Sequence, residues 1–282
     1  MRPRHWAKNV FVFAALVFAG RLEDPALVLR VCSAFVVFCV LSSAVYLIND
    51  VRDRDADRLH PEKRRRPIAA GEIAPRTASA ASVVLAVSAL IAAFALSHSL
   101  GMVAGAYLVL NLGYSFGLKR VVILDVMMVA AGFLMRALAG AVVINVAISQ
   151  WLVLCTGLLA LFLGFVKRRQ EITSMEGESL TRPILKEYSL PFLDQMISVV
   201  TGATVVAYSL YAFSPEVAQK LGTQHMGVTI PFVLFGIFRY LYLVHQRGVG
   251  ENPTVVVLTD LPLVVDVTLW GAAVVLALYA WR

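Results

Sequence analysis

Long apolar blocks separated by short charged connectors dominate this chain from end to end. Val31 to Ile48 carries no charged side chain, and a block of that length is read as a membrane-crossing helix rather than a soluble core helix. The pattern predicts nine such spans, at 9–22, 27–49, 77–97, 101–117, 121–142, 149–167, 190–212, 227–245 and 262–281. The first is short and follows Arg2, Arg4 and Lys8, an arrangement shared with signal peptides. Its far end, Gly20-Arg21-Leu22-Glu23-Asp24, is charged where a small-residue cleavage site would lie, so it is read as a span. Gly and Pro punctuate the connectors and no low-complexity linker divides the chain. The expected architecture is all-α: a polytopic membrane helical bundle forming one domain over residues 1–282, with a cytoplasm-facing polar cavity.

Composition agrees with that pattern. The 282 residues are 59% hydrophobic and 15% charged, with a net charge of +7. Lys and Arg collect in the N-terminus, the 50–76 loop, Lys119-Arg120, the 167–187 loop and the 246–260 loop. The alternate connectors, 97–99, 143–148 and 213–226, hold one basic residue, Lys220, with Arg21 and Arg30 the main exceptions. By the positive-inside rule, the N-terminus and the charged loops are expected in the cytoplasm and the C-terminus outside, in the cell (inner) membrane. This bias explains the positive charge without nucleic acid. Cys32, Cys39 and Cys155 fall inside predicted spans without paired spacing, and are expected to be small apolar fillers.

The charged chemistry concentrates at the mouth of the second span, in Asn49-Asp50-Val51-Arg52-Asp53-Arg54-Asp55-Ala56-Asp57-Arg58. On a helix Asp50, Asp53 and Asp57 are spaced i, i+3, i+7 and share one face, while Asp55 points away. A stripe of carboxylates suits a hard divalent cation, and Mg²⁺ usually arrives with a phosphate-bearing substrate. Lys63, Arg64 and Arg66 follow and can hold further phosphate charge. The bland alternative is a solvated loop whose acids pair with Arg52, Arg54 and Arg58. Helical spacing continuous with a span argues against it.

The stripe and the helix count resemble the UbiA superfamily of intramembrane transferases. The longer string from Asn49 through His60-Pro61-Glu62-Lys63-Arg64-Arg65-Arg66-Pro67-Ile68 to Gly71 is similar to its decaprenyl-phosphate phosphoribosyltransferase branch. So are Arg2-Pro3-Arg4-His5-Trp6-Ala7-Lys8-Asn9, Tyr114 to Lys119 through Leu124-Asp125, Arg136 to Gly140, and Pro231 to Tyr240. The resemblance covers nearly the whole chain. It implies a nine-helix bundle, Mg²⁺ dependence, phosphoribosyl pyrophosphate as donor and a polyprenyl (decaprenyl) phosphate as acceptor, with an arabinan cell-wall precursor as product. Prenyl-transferring relatives resemble one another in a second Asp-rich stripe after the sixth span. Here that place reads Lys167-Arg168-Arg169-Gln170-Glu171, a basic cluster with one carboxylate.

These readings nominate Asp50, Asp53 and Asp57 as metal ligands and catalytic residues. Substrate contacts are expected from Lys8, Asn49, Lys63, Arg64, Arg66, Tyr114, Lys119, Arg120, Asp125, Arg136, Lys167, Arg168 and Glu171. Lys167 and Glu171 stand at i, i+4 on one face, whereas Arg169 is expected to face solvent or headgroups. Arg136, inside a span and about three turns beyond Asp125, is a buried charge and so a functional candidate, with structural pairing its rival. Arg239 is explicable by snorkelling, and no histidine is assigned a role. Two other readings stand beside phosphoribosyl transfer. One is a prenyltransferase acting on an aromatic acceptor, which lacks its second acidic stripe here; the other is a non-catalytic transporter or anionic-lipid scaffold, which would leave the carboxylate stripe idle.

Overall fold

A computed structural model of the chain describes residues 3–59, 63–173, 183–248 and 253–281. Among them there is no strand. Eight helices are long and apolar enough to cross a membrane: α1 (Pro25–Arg52), α2 (Pro75–Leu96), α3 (His98–Phe116), α4 (Leu124–Val143), α5 (Gln150–Thr173), α6 (Leu190–Phe213), α7 (His225–Gln246) and α8 (Leu261–Ala280). Each coincides with a span read from hydropathy. The first expected span, 9–22, is built differently. It is a 3-10 segment, Pro3–Phe13, followed by a short α-helix, Ala14–Phe18.

The described residues group into two compact units. The first holds α1–α4, the N-terminal segment through Val17 and a 3-10 turn at Pro183–Glu187. Its central helices are α1 and α4, which bury the largest share of their length, whereas α2 and α3 present Val83, Val84, Ile91 and Val109 outward. Close packing follows from small residues. Ala78, Ser82, Ala86, Ala89 and Ala93 make the buried stripe of α2, the main neighbour of α1, and Ser82 donates to the Ala44 carbonyl at 2.7 Å. Gly140 on α4 lies under the N-terminal segment, where an added Cβ would sit 1.8 Å from the Val12 carbonyl oxygen. Any side chain there would drive the two apart.

Local chemistry sets the helix ends. Asp24 caps α1 through the N–H groups of Ala26 and Leu27, with Pro25 in the first turn. Between α3 and α4 the chain makes a 3-10 turn, Leu118–Arg120, and then a γ-turn in which Leu124 N–H donates to Val122 O at 2.8 Å. Its central residue, Ile123, has φ +69°, a strained conformation for a β-branched side chain. This tight reversal sets Lys119 beside the end of α1.

The second unit holds α5–α8. Here α5 packs on α6 and α7 on α8. Gln170, 2% exposed, donates to the Val244 carbonyl at 2.9 Å and ties α5 to α7.

Candidate active site

The carboxylate stripe begins on α1 and continues past its end. The helix stops at Arg52, Asp53 occupies the C-cap position, and a further helical turn runs Arg54–Leu59. The hydrogen-bond register survives this break, because Asp53 N–H donates to Asn49 O and Asp57 N–H to Asp53 O. The expected i, i+3, i+7 face is therefore kept. Asp50 and Asp57 are largely buried and Asp53 half-buried, while the Asp55 side chain is 92% exposed and lies near Arg54 and Arg58.

Two cations of the chain occupy the stripe. Arg66 Nη1 reaches Asp57 Oδ2 at 2.6 Å and Asp50 Oδ1 at 3.3 Å, so one guanidinium nitrogen bridges two carboxylates. Lys119 Nζ pairs with Asp53 Oδ1. Asn49 donates to the other Asp53 oxygen at 3.1 Å, and its own carbonyl oxygen receives Ser115 Oγ at 3.4 Å and Lys119 Nζ at 3.5 Å. Arg58 donates to the Ala69 carbonyl at 3.0 Å, tying the short Pro67–Ala70 helix to the stripe just beyond Arg66. Arg66 and Lys119 thus stand as bases against the three acids. Burial pushes the Asp57 carboxyl above the usual carboxylate range, the charges of Asp50 and Asp53 add to the push, and Arg66 opposes it.

That arrangement fits a divalent cation in a particular way. Among the described residues no three Asp, Glu, His or Cys side chains form a ready cage. Mg²⁺ needs none, since it is commonly held by one or two carboxylates with water and substrate phosphates completing its shell. The Asp50–Asp57 pair already converges on a positive nitrogen, so its oxygens point to a position where a cation is held.

The other nominated residues separate by unit. Tyr114 is half-buried in the last turn of α3, and Asp125 is fully buried in the first turn of α4. Lys8 and Lys63 are half-buried, Arg64 and Arg120 exposed. His60, Pro61 and Glu62 lie outside the described residues. In the second unit Lys167 approaches Glu171 at 3.8 Å, as the i, i+4 spacing predicts, and the buried Arg168 holds the same carboxylate at 2.5 Å.

Four expectations are corrected. Arg169 does not face solvent; it pairs with Asp194 at 2.5 Å, and Asp194 also meets His245 at 3.3 Å. Arg239 does not snorkel; its guanidinium holds Asp260, the N-cap of α8, through two bonds of 2.9 and 3.1 Å. Cys39 is more than filler, since Asn9 Nδ2 donates to its sulfur at 3.2 Å. Arg136 gives its donors to the protein rather than standing open to a substrate. Nε bonds Asn9 Oδ1 at 2.7 Å, Nη1 the Gly132 carbonyl at 2.6 Å and Nη2 Tyr107 OH at 2.8 Å, with the Tyr107 ring below the cation. The rival reading, structural pairing, is what the geometry favours.

Sequence reasoning passed over Ser115, which braces Asn49, and Asn9, which anchors Arg136. Neither has a local signal, because both contacts join residues far apart in the chain. Asp266, a buried carboxylate inside α8, was also unmarked, although an acid at membrane depth is itself a signal.

The model of the UbiA prenyltransferase family matches residues 9–255. The decaprenyl-phosphate phosphoribosyltransferase of Mycolicibacterium smegmatis is 37% identical, over 99% of this chain and 91% of its own length. The enzyme of the same name from Corynebacterium glutamicum is 36% identical, over 99% and 85% respectively. A UbiA homolog from Archaeoglobus fulgidus, solved with DMAPP and Mg²⁺, superposes with a TM-score of 0.71 at 17% identity, covering 98% of this chain and 96% of that one. With the family model spanning the carboxylate stripe and most of the helices, and full-length relatives above a third identical, the chain belongs to the UbiA prenyltransferase family.

Proposed function

We propose that this membrane transferase moves a 5-phosphoribosyl group from phosphoribosyl pyrophosphate to a polyprenyl phosphate, with release of pyrophosphate. The observation that carries the reading is the basic cluster Lys167-Arg168, tied to Glu171, where a prenyl-diphosphate enzyme would have its second acidic stripe. The full-length likeness to decaprenyl-phosphate phosphoribosyltransferases supports it. One acidic and one basic cluster suit two substrates that both bring phosphate.

In the reaction an oxygen of the acceptor phosphate bonds to the anomeric carbon of ribose as the carbon–oxygen bond to pyrophosphate breaks, and the electron pair leaves with pyrophosphate. The acceptor monoester is already largely ionised near neutral pH, its second pKa being about 6, so no general base is required. Asp50, Asp53 and Asp57 would hold Mg²⁺, which when bound neutralises charge on the departing pyrophosphate. Asn49 fixes the orientation of Asp53. Arg66 and Lys119, resting on the stripe, turn to the donor phosphates when metal and substrate arrive, so the site never presents three uncompensated acids. The negative charge of the stripe near the anomeric carbon would stabilise its developing positive charge. Lys63 and Arg64 would supply further phosphate contacts beside the stripe, and Lys167 and Arg168 are phosphate candidates of the second unit taken by itself.

The test is incubation of membranes with labelled phosphoribosyl pyrophosphate, decaprenyl phosphate and Mg²⁺, followed by lipid extraction. Labelled lipid is the expected result, lost on chelation. No labelled lipid from this donor, together with prenylation of an aromatic acid from a prenyl diphosphate, would overturn the reading.

We place the stripe on the cytoplasmic side, from the Lys and Arg bias. The N-terminal segment would be a ninth crossing: at about 2.0 Å per 3-10 residue and 1.5 Å per α residue, Pro3–Phe18 reaches roughly 30 Å, the thickness of the hydrocarbon core. The termini then lie on opposite sides. In a background without native cysteines, a cysteine replacing the exposed Glu72 should react with impermeant reagent only from the cytoplasm, and one replacing Lys220 only from outside. The reverse pattern would sink the topology.

A further inference from the structure

Two substrates that both bring phosphate raise a question of selection at a single carboxylate stripe. The acceptor's phosphate must not take the metal that the donor's diphosphate needs. The bases on the stripe carry an answer. Arg66 spends one nitrogen, Nη1, on both Asp50 and Asp57, and its side chain is 24% exposed. Its Nε and Nη2 make no hydrogen bond among the described residues. That pair of donors is the edge of a guanidinium that takes a phosphate through two parallel bonds. Lys119, 20% exposed along its side chain, covers Asp53 in the same way.

The backbone beneath both bases is held. Arg66 N–H donates to Lys63 O at 2.9 Å, and Arg66 O accepts from Ala70 N–H at 2.7 Å. Arg120 N–H donates to Gly117 O at 2.9 Å and closes the turn that carries Lys119. Any exchange at the stripe is therefore a movement of two side chains. Asp57 Oδ2, Asp50 Oδ1 and Asp53 Oδ1 each hold a base nitrogen. A divalent cation on those oxygens would lie against Arg66 and Lys119, and like charges repel at such range. The bases leave the acids readily only when another anion receives them. A single phosphate has one set of oxygens to divide between the metal and two bases. A diphosphate has two sets, one for the metal and one for the displaced bases.

We propose that Arg66 and Lys119 are built-in counter-ions that guard the stripe, so that the metal enters only with a diphosphate and the acceptor's monophosphate does not admit it. Donor and metal then bind as a pair before the acceptor reacts. The identity of the two phosphates rests on the proposed phosphoribosyl transfer, but the affinity for bare metal does not.

The test is Mn²⁺ binding to the full chain in detergent, read from the paramagnetic resonance signal of free Mn²⁺ without either substrate. The wild type should bind Mn²⁺ alone weakly. Arg66→Gln and Lys119→Gln should each bind it about tenfold or more tighter, because a like charge beside the metal is gone. Bases that served only as phosphate contacts would leave this affinity unchanged. The gain should vanish when Asp50→Asn is added to Arg66→Gln. Arg65→Gln, which removes an exposed charge from the same segment, should change nothing. In the wild type, inorganic pyrophosphate should tighten Mn²⁺ binding about tenfold or more after correction for the complex formed in solution, within the usual range of coupling between sites. Inorganic phosphate and decaprenyl phosphate should not. The two variants act on different carboxylates, so one that fails to fold leaves the other to decide. Four results overturn the inference: no tighter binding of bare Mn²⁺ in the folded variants, an equal gain in Arg65→Gln, a gain that survives Asp50→Asn, or tightening by phosphate equal to that by pyrophosphate. A wild type that transfers no phosphoribosyl group would fault the proposed reaction and leave the bare-metal result standing.

Discussion

Asp50→Asn and Asp53→Asn should each lower transfer at saturating Mg²⁺ by about 100-fold or more, the scale on which removal of a single stabiliser of developing charge registers. Asparagine keeps the volume and removes the negative charge a hard cation requires. In Asp50→Asn, Arg66 keeps its 2.6 Å bond to Asp57. In Asp53→Asn, Lys119 loses its carboxylate but keeps the Asn49 carbonyl. Both variants should still unfold cooperatively in detergent, so that the loss of transfer is read on folded protein. Asp55→Asn is the control. Its side chain points to solvent, its approaches to Arg54 and Arg58 are 3.9 and 3.8 Å, and near wild-type turnover is expected. Either stripe variant retaining near wild-type turnover would remove these carboxylates from the metal site.

Asn9→Leu and Arg136→Met should each destabilise the protein by about 2–4 kcal/mol, without either residue touching the proposed substrates. Arg136 is 5% exposed and Asn9 fully buried. Hydrogen bonds between membrane helices average about 0.6 kcal/mol and reach about 1.7, but here several meet on one charged group, and each orphaned buried partner costs about 1–3 kcal/mol. Asn9→Leu strips the cation of its Nε acceptor and leaves it buried with fewer partners. Arg136→Met removes the cation and orphans Asn9 Oδ1 and Tyr107 OH together. The double variant removes donor and acceptor at once, so its loss should fall clearly short of the sum of the singles. Additive losses would mean the two residues do not act as one tie. Because Asn9 also donates to Cys39 Sγ and Ser42 Oγ, the tie joins the N-terminal segment to α1 as well as to α4. A second readout follows: protease sensitivity near the N-terminus should rise in both single variants.

Much of this molecule was legible along the chain. Eight of the nine spans agree with the helices because membrane-length apolar blocks have no other way to satisfy their backbone. The carboxylate face, with Asp55 turned away, followed from 3.6-residue periodicity alone, and it survived a helix end at Asp53 because the i→i−4 bonds bridge that end. The Lys167–Glu171 pair was readable for the same reason, as a contact within one helix.

Contacts between distant residues were another matter. That Arg66 bridges Asp50 and Asp57, that Lys119 lies on Asp53, and that Asn9 holds Arg136 depend on segments up to 127 residues apart meeting in space. Arg169 and Arg239 read as membrane-edge cations until Asp194 and Asp260 were brought beside them. A sequence records which charges exist and which share a helix face, because those follow from local geometry. Packing decides their partners, since a buried cation takes whichever acceptor the neighbouring helix presents.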